Sequence, residues 1–171
     1  MIWFTALIVL VGLERLLELV VSRRNTAWSL ARGGREHGPG HYPFMVMLHV
    51  GLLVGALVEV ALADRPFLPG LGWTMLMLVA GAQALRWWCI STLGTHWSTR
   101  VVVVPGMRLV AAGPYRLLRH PNYVAVVLEG VALPLVHTAW LTALVFTAAN
   151  LALLAVRIRV EEAALRTAAA P

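Results

Sequence analysis

Three stretches of twenty residues, Ile2 to Val21, Phe44 to Ala63 and Leu71 to Ile90, consist almost wholly of apolar side chains. Twenty residues of α-helix rise about 30 Å, the thickness of a bilayer's hydrocarbon core, and a helix satisfies every backbone N–H and C=O within one such segment. Two further apolar runs, Tyr123 to Val136 and Ala139 to Val156, are joined through Pro134 and His137-Thr138 and predict a tight helical hairpin. The first of them is about 21 Å long as helix, so it needs Pro121 and Asn122 as its opening turn or a thinned region of bilayer. With 60% of 171 residues hydrophobic and 13% charged, an ordinary soluble domain is excluded. The expectation is an all-α polytopic membrane protein, one domain over residues 1–171, with about five transmembrane helices.

Arginine placement supports that count. With the N-terminus outside, Arg23, Arg24, Arg32, Arg35, Arg100, Arg108, Arg116, Arg119, Arg157, Arg159 and Arg166 share one side of the bilayer, and Arg65 alone falls on the other. The positive-inside rule then puts the C-terminus and the polar region before the last hairpin in the cytoplasm, and the expected location is the bacterial inner membrane. The net charge of +6 follows from this asymmetry, and no basic stripe interleaved with aromatics marks a nucleic-acid partner. Cys89 is the only cysteine, which excludes an intrachain disulfide and a cysteine-based metal site. His37 and His41 have no carboxylates at ligand spacing, so no metal is expected. Met1 to Val21 lacks a basic n-region and a small-residue cleavage site and reads as a retained span.

Polar residues inside the apolar segments carry the next inference. Glu14, Glu18, Ser22 and Asn25 fall on one helical face, and Arg15 can pair with Glu18 at i,i+3; charges at that depth must pair or face a polar interior. Ser22 to Pro43 reads as a polar, glycine-rich connection whose His37, His41 and Tyr42 are candidates for a lid. Gly51 and Gly55 form a small-xxx-small face, Trp87 and Trp88 an interfacial belt, and Val101 to Val104 an apolar run at the interface or beneath the site.

Between the third and fourth apolar segments stands the densest polar patch, Gly113 to Tyr123, reading GPYRLLRHPNY. Pro121 biases His120 away from the α region and is acceptable in the first turn of a helix, so His120 is offered at a helix N-terminus. On the last helix Asn150, Arg157 and Glu161 share a stripe. The patch and this stripe sit at opposite ends of one antiparallel hairpin and are expected to meet on the cytoplasmic side. A pocket with carboxylates, arginines, a histidine and aromatics beside an apolar wall suits a charged, water-soluble cofactor meeting a greasy substrate.

The order Leu93-Gly94 with Trp97, Gly113-Pro114-Tyr115, Arg119-His120-Pro121 with Tyr123, and Glu161-Glu162 followed by Leu165 resembles the isoprenylcysteine carboxyl methyltransferase family. The stretches ERLLELVVSRRN and HYPFMV look like those of its small bacterial members. The resemblance implies an integral membrane methyltransferase using S-adenosylmethionine, and no glycine-rich fingerprint of the soluble, Rossmann-type enzymes occurs. It implies a cofactor pocket including Tyr115, His120, Pro121, Tyr123 and Glu161, with Arg119 and Glu162 as candidates for activity. After Leu165 the chain ends within six residues, where family members often continue with a tyrosine-containing tail; the lid function of that tail is expected from elsewhere, such as the His37 to Tyr42 loop.

The acceptor is expected to be a membrane-embedded lipid. A prenylcysteine carboxylate is ionised at pH 7 and needs no base, whereas a phenol, which ordinarily ionises only near about pH 10, benefits from one. His120, Glu129, Glu14 and Glu18 are the candidate bases, with Glu129 assigned to the substrate side. Bacterial enzymes that this short architecture resembles methylate phenolic lipids such as alkylresorcinols and alkylpyrones, which makes O-methylation of such a lipid the leading expectation. Carboxyl methylation of a prenylated cysteine, amine methylation of a phospholipid, and a non-catalytic membrane bundle are the alternatives. The sequence gives no oligomeric state.

Overall fold

The computed structural model describes residues 1–107 and 110–169; Arg108 of the arginine count and Ala170 of the alanine-rich end lie outside the described residues. Five helices dominate: α1 (Ile2–Leu30), α2 (Tyr42–Leu62), α3 (Pro69–Leu93), α4 (Pro121–Leu135) and α5 (Trp140–Ala169). Short 3-10 turns at Pro39–His41, Gly94–His96 and Gly113–Arg116 punctuate the connections. Strand β1 (Arg35–His37) pairs antiparallel with β2 (Val101–Val103), Glu36 opposite Val102. By length and composition α2 with its preceding turn, α3 with its following turn, and α5 can each cross a membrane. The chain is an all-α integral membrane protein.

Two helix boundaries differ from the sequence expectation. Helix α1 runs on through Ser22 to Leu30, where a polar connection was expected. No glycine or proline interrupts it before Gly33, and its polar side chains find partners in the segment after α3. Ser22 Oγ lies 2.7 Å from Thr99 Oγ1, and Asn25 Nδ2 donates to the carbonyls of Gly94 (3.0 Å) and Trp97 (2.8 Å). Val101 to Val103 is a strand, and Val101 to Val104 lie against the site, the second of the two placements expected for this run. Helix α5 extends past Val156 to Ala169, carrying Arg157 and the Glu161-Glu162 pair on a rigid rod.

Phe4, Ile8 and Val11 of α1, Leu52, Ala56 and Val60 of α2, and Leu133, Val136 and Phe146 of the hairpin form the apolar core at one end of the bundle. The hairpin closes tightly there, since a Cβ at Gly130 would overlap the ring of Phe146. Glu59 accepts from the backbone N–H groups of Leu141 (3.1 Å) and Thr142 (2.7 Å), capping α5, and pairs with Arg65 at 2.9 Å. Leu10, Leu13, Leu17, Met77 and Leu144 face outward, as side chains solvated by hydrocarbon do.

A buried charge network spans α1, α3 and α4. Arg15 donates to Glu18 Oε2 (2.6 Å), Glu129 Oε2 (2.8 Å) and Gln83 Oε1 (2.9 Å), while Arg86 donates to Glu129 and lies 3.5 Å from Glu18. Glu14 accepts from Gln83 and Trp87. The inward-facing stripe on α1 is therefore a strut: its charges join three helices, and its hydroxyl and amide groups hold the segment between α3 and β2 in place.

Candidate functional site

Local chain chemistry fixes the Gly113 to Tyr123 segment. Gly113 has φ +51°, and a Cβ there would sit 2.6 Å from Thr92 Oγ1 and 3.0 Å from Trp88 Nε1, so the turn against α3 requires glycine. Pro114 and Tyr115 follow in the 3-10 turn, with the Tyr115 N–H donating to the Ala112 carbonyl at 3.1 Å. His120 caps α4, its carbonyl accepting from the N–H of Tyr123 at 3.1 Å, and Pro121 occupies the first helical position.

The end of α5 comes back against this N-terminus. His120 Nδ1 lies 3.7 Å from Glu161 Oε1, and its Nε2 lies 3.7 Å from Glu162 Oε1, so both carboxylates face one imidazole. The imidazole stacks on the Tyr123 ring, with centroids 5.3 Å apart and planes 19° from parallel. Tyr123 donates its hydroxyl proton to Glu161 and accepts from Arg157 Nε at 2.8 Å. Arg157 is buried; its Nη1 donates to the Thr99 carbonyl (2.6 Å) and meets Met45 Sδ at 2.9 Å.

These groups line a cavity of about 460 Å³. Tyr115, His120, Tyr123, Glu161, Glu162 and Arg119 all border it, together with Asn122 and Arg157. Leu93, Val102, Val104, Met107 and Val110 give it an apolar stretch of wall, and Ser29, His96, Ser98 and Arg100 complete the lining. Burial and the adjacent Cys89 thiol push the Tyr115 hydroxyl above the usual phenol range, so it stays a neutral hydrogen-bonding group. The volume lies in the usual range for small-molecule pockets. Among the described residues, no three His, Cys, Asp or Glu side chains group as metal ligands.

Not every residue singled out in the sequence joins the cavity. Pro121 is fully buried and stands behind it, shaping α4 rather than lining the space. Arg119 is at the rim with its side chain 89% exposed, 3.9 Å from Glu162. Glu129 lies outside the cavity, where its carboxylate is held between the Arg15 and Arg86 guanidiniums. Glu14 and Glu18 belong to the same network. His37, His41 and Tyr42 do not line the cavity either; they brace its outer wall, where Arg100 lies over the Tyr42 ring at 4.7 Å and pairs with Glu36 at 3.0 Å.

Arg157, which the sequence puts on a stripe with Asn150 and Glu161, is buried at the cavity wall. An arginine near a helix end reads as snorkelling to the interface. The available signal was the shared stripe with Asn150 and Glu161, which marks the inward face of α5.

A second, open groove of about 910 Å³ lies between α2 and α5, lined by Phe44, Gly51, Gly55, Ala149, Leu153 and Val156 among others. Apart from Thr142 its lining is apolar, and its upper end at Phe44 and Val156 adjoins Met45 and Arg157. On the small-residue face, Gly55 lets α5 approach closely, since a Cβ there would lie 3.3 Å from Thr142 Oγ1, while Gly51 faces open space in the groove.

Residues 74–167 match the isoprenylcysteine carboxyl methyltransferase family. An uncharacterized Bacillus subtilis protein, YpbQ, is 35% identical over 164 residues, covering 95% of this chain and 96% of that one. An uncharacterized Haemophilus influenzae protein is 27% identical over 152 residues, 88% of each chain. No solved structure matches the chain.

Proposed function

The chain belongs to the isoprenylcysteine carboxyl methyltransferase family and is an integral membrane methyltransferase, and from that premise we propose that it O-methylates a phenolic lipid, such as an alkylresorcinol or alkylpyrone, using S-adenosylmethionine. When bound, this cofactor supplies a methyl group activated by its sulfonium charge. Tyr115, His120, Tyr123 and Glu161 would hold it, the carboxylate taking an ammonium or ribose hydroxyl group and the apolar wall taking the adenine. Pro121 fixes the start of α4 on which His120 and Tyr123 stand.

The observation that carries the phenolic reading is the pairing of two carboxylates with one imidazole beside a buried guanidinium. A neutral phenol must lose a proton, which this group can take up, whereas an acceptor that is already a carboxylate needs no base. Glu162, through His120, takes the phenolic proton, and Arg157 steadies the resulting oxyanion. Arg119 draws anionic groups to the rim. The acceptor's hydrocarbon tail lies in the groove between α2 and α5, whose upper end opens beside Arg157. By the positive-inside rule, the arginines at this end of the bundle support a cavity facing the cytoplasm of the bacterial inner membrane.

The test is equilibrium binding of S-adenosylmethionine to the purified protein, followed by transfer of labelled methyl to 5-pentadecylresorcinol or to N-acetyl farnesylcysteine. Transfer to the resorcinol alone is the expected result. Transfer to farnesylcysteine alone gives the carboxyl reading instead, and absence of cofactor binding removes both.

A further inference from the structure

The groove between α2 and α5 is bounded at both ends. At the lower end the helices touch, since a Cβ at Gly55 would lie 3.3 Å from both Oγ1 and Cγ2 of Thr142. Glu59 accepts from the Thr142 N–H and pairs with Arg65, so hydrocarbon passing this level would run into charge. Gly51 stands one turn above Gly55 on the same face of α2 and would meet nothing within 4 Å, so the helices have parted there. The buried side chains of Leu52 and Phe146 back the slot. At the upper end stands Arg157, which also borders the cavity and meets Met45 Sδ at 2.9 Å.

Helix geometry turns these limits into a length. Met45 and Gly55 are ten residues apart on α2, and Thr142 and Arg157 fifteen apart on α5, which is about 15 Å and 22 Å of helix. An extended alkyl chain advances about 1.25 Å per carbon at ordinary C–C lengths and angles, so the slot takes about 12 to 18 carbons. Gly51 lies rather more than halfway down, where a descending tail has run through about 7 to 11 carbons.

We infer that this slot selects the acceptor by the length of its hydrocarbon tail, with the Gly55 and Thr142 contact as its floor and Gly51 as the specificity-determining residue that lets a tail reach it. This rests on the reading of a lipid acceptor whose ring lies at Arg157, and narrows the acceptor to one bearing a single straight tail of about 12 to 18 carbons. Bilayer hydrocarbon solvates a tail as well as the groove does, so the selection is steric. A tail that is too long must bend out of the slot, and a bulky side chain at position 51 would stop any tail at that level.

The experiment gives full-length wild type and Gly51→Phe three probes at equal mole fraction in detergent: 5-heptylresorcinol, 5-pentadecylresorcinol and 5-heneicosylresorcinol. It reads equilibrium lipid binding and kcat/KM for methyl transfer, with S-adenosylhomocysteine affinity as the check that the variant is folded. Wild type is expected to favour the pentadecyl probe over the heneicosyl probe about 10-fold, the cost of an overpacked contact. Gly51→Phe is expected to move the optimum to the heptyl probe. A wild-type profile that keeps rising through the heneicosyl probe overturns the inference without recourse to the variant. So does a Gly51→Phe profile that matches wild type, or one lowered equally on all three probes. Length-selective binding without methylation removes the phenolic reading and keeps the slot. Methylation indifferent to tail length removes the slot and keeps the phenolic reading, and failure to bind any probe overturns both.

Discussion

The guanidinium of Arg157 and the phenol of Tyr123 are joined Nε to Oη at 2.8 Å, bridging the last third of α5 to the first turn of α4. Because Tyr123 donates its hydroxyl hydrogen bond to Glu161, one hydroxyl connects a buried cation to a carboxylate at the cavity wall. Each member orients the next, and the same guanidinium holds the Thr99 carbonyl of the opposite wall.

Replacing Arg157 therefore disturbs both walls at once. Arg157→Gln is expected to lower kcat/KM by about 100-fold or more, the cost of losing charge-assisted bonds. Arg157→Lys should recover little, since an ammonium does not reproduce the planar fork that reaches Tyr123 and Thr99 together. Steady-state kinetics on the detergent-solubilised protein measure both.

Arg119 offers the contrast. Its exposed side chain sits 3.9 Å from Glu162, and exposed pairs contribute about 0–1 kcal/mol. Arg119→Ala should change kcat/KM by less than about fivefold, a loss confined to low ionic strength. Salt titration of the initial rate checks this, and a loss as deep as that of Arg157→Gln would move Arg119 into the chemistry.

For the acidic pair, Glu161→Gln weakens cofactor binding because it removes the carboxylate that receives Tyr123 and faces His120 Nδ1. Glu162→Gln leaves binding nearer to wild type and lowers kcat. Calorimetric titration with S-adenosylhomocysteine, set beside kcat, separates the two roles.

Glu129→Gln acts on stability. It leaves Arg15 and Arg86 facing each other without their shared carboxylate, and breaking a buried pair costs about 3–5 kcal/mol. Thermal unfolding in detergent should fall sharply, while the fraction that stays folded binds S-adenosylhomocysteine with unchanged affinity. A normal melting curve with selective loss of phenol methylation would restore Glu129 to the substrate side.

Much of this architecture was legible in the chain. Apolar runs marked the helices, and the Pro121 signal placed the start of α4. The meeting of His120 with Glu161 and Glu162 followed from two antiparallel helices of known direction. What escaped depends on tertiary partners. Glu129 looked like a free base because its guanidinium partners are 114 and 43 residues away. The helical stretch from Ser22 to Leu30 looked like a loop because its polar groups bond the Gly94 to Thr99 segment, which no local pattern reveals. A three-residue strand such as Val101–Val103 is too short to show alternation, and its partner is far away in sequence.

Helix α4 has fifteen residues and rises about 22 Å, some 8 Å less than a typical hydrocarbon core. His120 and Tyr123 ride on its upper end, so this short helix works as a depth gauge for the cavity. In a thin membrane the cavity mouth stands level with the headgroups and meets soluble cofactor freely. A thicker membrane draws it beneath the surface, and turnover then reports on the acyl chains around the enzyme as much as on the enzyme itself.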